Sequence, residues 1–201
     1  MKLLIGTNNQ GKVIEISEVL GDLGFELLSP KDLSIDIAPE ETGSTFAENA
    51  LQKARHFFEH GGSVPTIADD SGIIIDAFAD ELGIHTRRWG AGADATDTEW
   101  IEHFLARMEA QENKKARFVC NLAYIDPEGS EHLFEGTCEG IITPSLEADY
   151  LPGLPISACF RPEGFDLVYS AMGVDEKNAI SHRGRAVNAL REHLSSCYFS
   201  E

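Results

Sequence analysis

The first thirty residues carry apolar and polar positions in the order strand, helix, strand. Lys2–Gly6 is a short apolar run, and Phe25–Leu28 is a second one that ends before Pro30, so each predicts a β-strand. Between them, Lys12–Leu23 has apolar residues at helical spacing, namely Val13, Ile16, Val19, Leu20 and Leu23. The chain therefore opens with a predicted βαβ unit, in which a polar loop joins the first strand to the helix.

Two capping patterns predict the starts of further helices. Thr45 with Glu48 predicts a helix that runs to about Glu59, where two glycines end it. Thr96 with Glu99 predicts another helix, whose apolar stripe is typical of a buried face rather than of a ligand surface. That stripe consists of Trp100, Ile101, Phe104, Leu105 and Met108.

The remaining apolar runs predict strands. Val64–Ala68 and Ile73–Phe78 are predicted as two strands separated by a turn at residues 69–72. Arg117–Ile125 and His132–Thr143 are predicted as an antiparallel pair joined through an Asp-Pro-Glu-Gly turn. The βαβ unit predicts parallel strands and the hairpin predicts antiparallel ones, so both kinds of pairing are expected in one sheet.

The C-terminal third is less regular. A Pro-rich stretch at residues 144–162 is followed by a polar loop predicted at Asp175–Asn178 and a closing helix from Ser181 to about Ser196. The mixture of βαβ and hairpin patterns predicts an α/β fold with a mixed sheet. A chain of 201 residues without internal repeats is expected to form a single domain over residues 1–201.

Charge and composition exclude several classes of protein. Asp and Glu outnumber Lys and Arg by 34 to 16, and a net charge of −18 argues against nucleic-acid backbones or anionic membranes as partners. We expect a cytoplasmic protein, because the first apolar run is too short for a signal peptide and no run approaches membrane-spanning length. The four widely spaced cysteines suit reduced, mostly buried thiols.

The loop Gly6–Lys12 comes within one residue of a phosphate-binding P-loop. Its turn would present backbone N–H groups and a helix N-terminus to an anion, and Lys12 adds a full charge. The departure is Val13, which stands where a P-loop has the Ser or Thr that ligates magnesium. The pattern therefore indicates a phosphate-handling loop whose metal is held elsewhere, although Gly-rich and Asn-rich loops also occur without any ligand.

Adjacent carboxylates at Asp69 and Asp70 are candidates for metal or water binding. They follow an apolar run, and magnesium is typically held by one or two carboxylates together with substrate phosphates. Glu40 and Glu41 could supply a further ligand. The alternatives are a turn capped by Asp70 and a solvated pair of glutamates.

Two groups of cations could meet an anion. Lys53 lies on the margin of the apolar face of its predicted helix, where a lysine either extends along the surface to solvent or points into a cleft. Lys177, His182 and Arg183 gather around the start of the closing helix, which is an anion-binding arrangement or an ordinary basic patch.

Five motifs, in order and at compatible spacing, closely resemble the inosine/xanthosine triphosphate pyrophosphatase family. They are T-N-N-x-G-K at residues 7–12, E-T-G-x-T-F-x-E-N-A at 41–50, K-A at 53–54, A-D-D-S-G at 68–72 and E-K-N-x-I-S-H-R at 176–183. The resemblance covers nearly the whole chain. It implies an elongated mixed sheet flanked by helices, two lobes with an active-site cleft between them, and a homodimer.

The activity that the resemblance implies is hydrolysis of deaminated purine nucleoside triphosphates, with Mg²⁺, to the monophosphate and pyrophosphate. Asp70 would bind the metal with Glu41 or Glu40 and accept the proton of the attacking water, while Asp69 would support the metal or the water. Lys53 would bind phosphate. The phosphates would be cradled by Thr7, Asn8, Asn9, Gln10, Gly11 and Lys12, and the nucleotide would be contacted by Ser71, Lys177, His182 and Arg183.

The chain departs from the family pattern at residues 153–160. Members usually have G-F-G-Y-D-P-I-F there, whereas this chain has G-L-P-I-S-A-C-F, so the aromatic residue and the Asp are missing. The resemblance implies that this segment, with Leu154, Pro155, Ile156 and Ser157, lines the base pocket. A different base preference therefore remains an alternative. A nucleotide-binding sensor with little turnover is another, and a kinase or ATPase that cleaves the terminal phosphate is a third.

Overall fold

The computed structural model describes residues 1–78, 81–92 and 94–198, without the side chains of residues 87 and 88. It contains a six-stranded sheet in the order β2-β1-β3-β4-β5-β6. The strands are β1 (Lys2–Ile5), β2 (Glu26–Leu28), β3 (Thr66–Ile75), β4 (Lys115–Ile125), β5 (Glu131–Ile142) and β6 (Phe160–Pro162). The α-helices are α1 (Gln10–Leu20), α2 (Phe46–His60), α3 (Asp97–Glu109), α4 (Val174–Ile180) and α5 (His182–Tyr198).

The sheet is mixed, as the sequence predicts. β1 pairs in parallel with both β2 and β3, and β3, β4, β5 and β6 pair antiparallel in succession. The opening βαβ unit is confirmed, since α1 connects the parallel strands β1 and β2. The hairpin of β4 and β5 is confirmed as well.

The predicted interruption after Ala68 is wrong. β3 is one continuous strand, and residues 69–72 pair with β4 in unbroken register, with Asp69 opposite Leu122 and Gly72 opposite Val119. The Asp-Asp-Ser-Gly sequence is typical of a turn, but its polar side chains find charged partners on both faces of the sheet. Pairing with a long antiparallel neighbour therefore overrides the local preference for a turn.

The predicted polar loop at Asp175–Asn178 is also wrong. These residues form the middle of α4, a short helix with Gly173 at its N-cap and with Lys177 and Asn178 buried against the molecule. Acidic residues in its first turn suit a helix N-terminus. The closing helix is confirmed as α5, and the Pro-rich stretch contains the sixth strand, which the pattern does not predict.

Capping side chains begin both of the helices that the Thr-x-x-Glu patterns predict. Thr45 accepts a hydrogen bond from the Glu48 N–H at the start of α2, while the Glu48 carboxylate accepts from the Ser44 N–H instead of completing the reciprocal bond to Thr45. Thr96 and Glu99 form both bonds of a capping box at the start of α3. All four cysteines carry free thiols, three of them buried.

Two of the four hydrophobic clusters among the described residues form the main cores of the molecule. One core joins β1, β2, α1 and α5, with Leu3, Ile16 and Leu190 fully buried. The other joins α3 to the far ends of β4, β5 and β6, with Phe104 and Phe160 fully buried. Trp100, Ile101, Phe104 and Met108 of α3 are buried in this second core, as the stripe predicts. Among the described residues, no helix is long and apolar enough to cross a membrane.

Candidate active site

A cleft of about 400 Å³ lies where β1 ends and β3 extends beyond it. β1 pairs with β3 only at Thr66 and Ile67, and the chain then leaves the sheet at Gly6. The rest of β3 has β4 on one side and an open edge on the other. Residues on either face of β3 can therefore reach the same cleft around this edge.

Asp69 and Asp70 point to opposite faces of the sheet, because successive side chains of a strand alternate. Asp70 lies on the face covered by α2, where it meets Lys53 and Asn49. Asp69 lies on the face covered by α1 and α5, where it meets Lys12 and Arg183. The two carboxylates therefore do not form a single paired site.

Lys53 joins the Asp70 carboxylate to the loop before α2. Its Nζ lies 2.7 Å from Asp70 Oδ1 and 3.1 Å from Glu41 Oε1, and it also donates to the Asp69 backbone carbonyl at 3.4 Å. Burial opposes the charged form of Lys53, but the two carboxylates outweigh it and raise the pKa of the ammonium group. Lys53 is thus a charged residue that points into the cleft.

On the opposite face, Asp69 gathers two cations. Lys12 Nζ lies 3.0 Å and Arg183 Nη2 lies 3.3 Å from its Oδ2 atom, while Arg183 also donates to the Ser71 hydroxyl at 2.8 Å. Complete burial favours the neutral acid, yet Lys12 and Arg183 hold the pKa of Asp69 far below its usual range. Arg183 has a second carboxylate partner in Glu15 of α1. Asp69 thus fixes Lys12 and Arg183 beside the open edge.

The loop after β1 is held by its own side chains and by the segment around Gly153. Asn9 is the N-cap of α1, since its Oδ1 accepts from the Lys12 N–H at 3.2 Å, and its Nδ2 donates to the Gly153 carbonyl at 3.2 Å. Gly11 packs so closely on Leu154 that a Cβ would lie 2.7 Å from its Cδ1 atom. These contacts attach the predicted base-pocket segment to the predicted phosphate loop.

The end of the cleft near the second core is aromatic. His182 stacks on Phe118 at 4.5 Å between ring centroids, and Tyr169 lies parallel to it at 6.0 Å. Burial, followed by the neighbouring Arg183 charge, holds the pKa of His182 well below its usual value, so the ring is neutral. Ser157 lines this end and donates its hydroxyl proton to the Leu154 carbonyl at 2.6 Å.

The structure brings most of the predicted site residues together. The cleft is lined by Thr7, Asn8, Asn9, Lys12, Glu41, Lys53, Asp70, Ser71, Leu154, Pro155, Ile156, Ser157, His182 and Arg183. Five predicted residues do not line it: Gln10, Gly11, Glu40, Asp69 and Lys177. Gln10 and Glu40 are exposed, Gly11 and Asp69 lie beneath the surface of the site, and Lys177 pairs with Glu15 at 3.0 Å.

Sequence reasoning missed several residues at the site. Phe118, Tyr169 and Trp100 line the aromatic end, and Glu15 lies beside Arg183. Glu15 follows Lys12 by three residues on α1, and that spacing could have placed it on the same helix face. The three aromatic residues come from distant elements, so no local pattern signals their meeting.

Glu41 and Asp70 suit a magnesium ion. Both carboxylates lie within 3.1 Å of one cationic atom, the Nζ of Lys53, so they already converge on positive charge. Among the described residues, no group of three or more His, Cys, Asp or Glu side chains is arranged to hold a metal. Two protein carboxylates fit an ion that takes its remaining oxygen ligands from water and phosphate.

Comparison with known proteins gives concordant matches. Residues 3–193 match the sequence model of the Ham1 family. A protein of Leptospira interrogans named dITP/XTP pyrophosphatase is 39% identical over 195 residues, which cover 97% of this chain and 98% of the relative. Among solved structures, the Ham1 protein of Staphylococcus aureus matches with a TM-score of 0.80 at 30% sequence identity. A HAM1 protein of Coxiella burnetii matches with a TM-score of 0.81 at 32% sequence identity. Each alignment covers 98% of this chain and 99% of the solved one.

Proposed function

This chain belongs to the Ham1 family, and from that premise we propose that it hydrolyses deaminated purine nucleoside triphosphates to the monophosphate and pyrophosphate. The name dITP/XTP pyrophosphatase, carried by relatives that span nearly the same length, supports this activity. The substrates would be ITP, dITP and XTP, and their removal would cleanse the nucleotide pool. The enzyme would thus be a hydrolase acting on an acid anhydride.

The observation that carries the proposal is the cluster of Asp70, Lys53 and Glu41 at the open edge of β3. A water molecule attacks the α-phosphorus in line with the bond to the bridging oxygen of the β-phosphate, and Asp70 accepts its proton. The attack forms a new phosphorus–oxygen bond to the nucleoside monophosphate, while pyrophosphate leaves with the electrons of the broken bond. Lys53 contacts the phosphates and offsets the charge that develops on them.

The family is one for which a divalent metal is expected, and we propose Mg²⁺ held by Asp70 and Glu41. Glu40 is the alternative ligand from the same loop, but its side chain is exposed and does not line the cleft. When bound, magnesium would neutralise charge on the phosphoryl group under attack. The proposed ligands lie on β3 and the loop before α2, which explains why Val13 can replace the hydroxyl residue of a P-loop.

We assign the remaining contacts from their position along the cleft. Thr7, Asn8, Asn9 and Lys12 would hold the phosphates, with Gln10 and Gly11 shaping the loop. Ser71, His182 and Arg183 would contact the nucleotide, and residues 154–157 would line the base pocket. Lys177 and Asp69 would act indirectly, because the structure pairs Lys177 with Glu15 and buries Asp69 behind Lys12.

Three further features belong to the proposal. Residues 1–201 would form one domain, supported by a family match that spans residues 3–193. The resemblance to the family supports a homodimer, which light scattering would test. A cytoplasmic location suits four free thiols and a substrate from the nucleotide pool.

The deciding experiment identifies the product. Purified protein with Mg²⁺ is offered inosine, xanthosine, guanosine and adenosine triphosphates and their deoxy forms, and pyrophosphate and orthophosphate are measured separately. We expect pyrophosphate, released fastest from the inosine and xanthosine nucleotides. Orthophosphate as the primary product would identify an enzyme that cleaves the terminal phosphate, and tight binding without any product would identify a sensor.

A further inference from the structure

Asn49 is a buried polar residue of α2 to which the proposed mechanism gives no role. Its side chain is 1% exposed and does not line the cleft, so it cannot contact the substrate directly. Both ends of its amide are nevertheless bonded. The Nδ2 atom donates to Asp70 Oδ2 at 3.2 Å, and the Oδ1 atom accepts from the Gly43 N–H at 2.8 Å.

The orientation of this amide is dictated by its partners. A backbone N–H can only donate, so the atom facing Gly43 is the oxygen, and an ionised carboxylate can only accept, so the atom facing Asp70 is the nitrogen. Gly43 fits closely against Asn49, because a Cβ at residue 43 would lie 2.7 Å from Asn49 Oδ1. The contact therefore has one arrangement that satisfies every group.

The two bonds join the parts that must be aligned for catalysis. Asp70 is held at Oδ1 by Lys53 and at Oδ2 by Asn49, which sets the plane of its carboxylate. Gly43 stands two residues after Glu41, so its bond to Asn49 anchors the loop that carries Glu41. One buried amide thus links the proton acceptor to the loop of the second acidic residue.

We propose that Asn49 is a positioning residue that orients the Asp70 carboxylate toward the attacking water and fixes the loop bearing Glu41 beside it. The inference rests on the proposed function, since it assigns Asn49 a part in that reaction. Residues that orient a metal ligand or a catalytic group typically contribute 10- to 100-fold, so about that loss of kcat follows when the bond to Asp70 is removed.

A neighbouring residue provides a matched control. Gln52 lies one turn further along α2 and also anchors the loop, because its Oε1 accepts from the Thr42 N–H at 3.0 Å and its Nε2 donates to the Thr42 hydroxyl at 3.1 Å. The bonds given for Gln52 go to Thr42 and not to Asp70. Removing it therefore loosens the loop at Thr42 while leaving both bonds of Asn49, to Gly43 and to Asp70, in place.

The test compares the variants Asn49→Asp, Asn49→Ala and Gln52→Ala. Asn49→Asp keeps the acceptor for Gly43 but places a carboxylate against Asp70, whereas Asn49→Ala removes both bonds. Steady-state kinetics give kcat and KM for the preferred nucleotide. Hydrogen–deuterium exchange of residues 40–44 in the metal-free protein reports the loop without any turnover, and thermal unfolding shows that each variant is folded.

We expect kcat and the hydrogen–deuterium exchange of the loop to change in different variants. Asn49→Asp lowers kcat about 10- to 100-fold with little change in loop exchange, and Gln52→Ala speeds loop exchange while kcat stays within about threefold. Asn49→Ala shows both effects and replaces Asn49→Asp in the comparison if the latter does not fold. If the wild-type protein is active and both Asn49 variants keep its kcat, the positioning role alone is overturned. A wild-type protein without pyrophosphate release would overturn the proposed function together with it.

Discussion

At the scale of single residues, the site is organised by carboxylates that hold cations in place. Lys53 pairs with Asp70 and Glu41, and Lys12 and Arg183 meet on Asp69. Each of these cations has given up part of its hydration and is compensated by negative charge from the protein. A triphosphate that enters the cleft therefore competes with carboxylates for these cations.

Replacing Asp70 with asparagine tests its proposed role as the proton acceptor. Asp70→Asn preserves the size of the side chain but removes both the negative charge and the ability to accept a proton at neutral pH. We expect at least ~100-fold loss of kcat, which is the low end of a general-base effect. Pyrophosphate release measures the loss, and circular dichroism shows whether the fold is retained. Near-normal turnover in a folded variant would rule out Asp70 as the acceptor.

A variant of Ser157 tests the departure from the family pattern in the proposed base pocket. A serine could donate and accept, but its proton is committed to the Leu154 carbonyl, so it offers an acceptor without charge. We expect Ser157→Asp to change the ratio of kcat/KM between inosine and guanosine triphosphates. The change should correspond to a discrimination energy of about 0.5–1.5 kcal/mol or more, since a charged acceptor binds donors more strongly. If the variant and the parent have the same ratio of kcat/KM for the two nucleotides, Ser157 takes no part in base recognition.

At the scale of secondary structure, α5 contacts the sheet through its backbone. A Cβ at Gly136 of β5 would lie 2.0 Å from the His182 carbonyl oxygen and 2.8 Å from the Ala186 nitrogen. The absence of a side chain at this position therefore allows α5 to approach β5 so that His182 and Arg183 reach the cleft. The glycine is a structural requirement of the site although it does not line the cleft.

We accordingly expect Gly136→Ala to lower the free energy of unfolding by about 1–3 kcal/mol, the usual cost of an added group in a packed interface. It should also reduce kcat/KM, because the start of α5 must shift. Urea unfolding and pyrophosphate release measure the two effects. Gly21→Ala is the control, since Gly21 has helical backbone angles and open space around its Cβ position. A Gly136 variant as stable as the Gly21 variant would contradict this packing.

The stack of Phe118, His182 and Tyr169 makes stability depend on pH. Below about pH 6.5 the unfolded chain takes up a proton at His182 that the folded protein resists, because burial and Arg183 lower the pKa of the ring. This part of the stability is therefore present above about pH 6.5 and decreases as pH falls, by at most about 1.4 kcal/mol per pH unit. Denaturant unfolding between pH 5 and 8 measures it. His182→Phe should flatten the curve below pH 6.5, and an unchanged curve would refute the assignment.

Sequence patterns predicted the elements with local signals but not the contacts between distant ones. The capped helices, the βαβ unit and the hairpin follow from spacing within a few residues. The continuous β3 could not be recognised, because cations from α1, α2 and α5 stabilise its two acids within the strand. Likewise, the motifs predicted most cleft residues, whereas the aromatic end required Phe118 and Tyr169 to be brought together by the fold.

At the scale of the whole molecule, an acidic protein must admit an anionic substrate. The net charge of −18 repels a free triphosphate at long range, and the cleft cations are already partnered by carboxylates. Salt shortens the range of this repulsion, because the Debye length falls from about 30 Å at 0.01 M to about 8 Å at 0.15 M ionic strength. Substrate capture should therefore improve when moderate salt is added.

We expect kcat/KM to rise about two- to threefold between these ionic strengths at constant free Mg²⁺. Initial rates over a sodium chloride series measure the effect, and sucrose at matched osmolarity is the control for non-ionic influences. A steady fall in kcat/KM would instead mean that local positive potential at the cleft mouth outweighs the charge of the molecule.

The alternation of Asp69 and Asp70 across β3 also limits how this gene can change in length. Deleting one residue between Thr66 and Asp69 would shift both acids to the wrong faces, with Asp70 turned toward Lys12 and Arg183 and Asp69 toward Lys53. Removal of two residues would keep the faces but move the acids along the edge. Insertions and deletions should therefore be confined to the loops on either side of this strand.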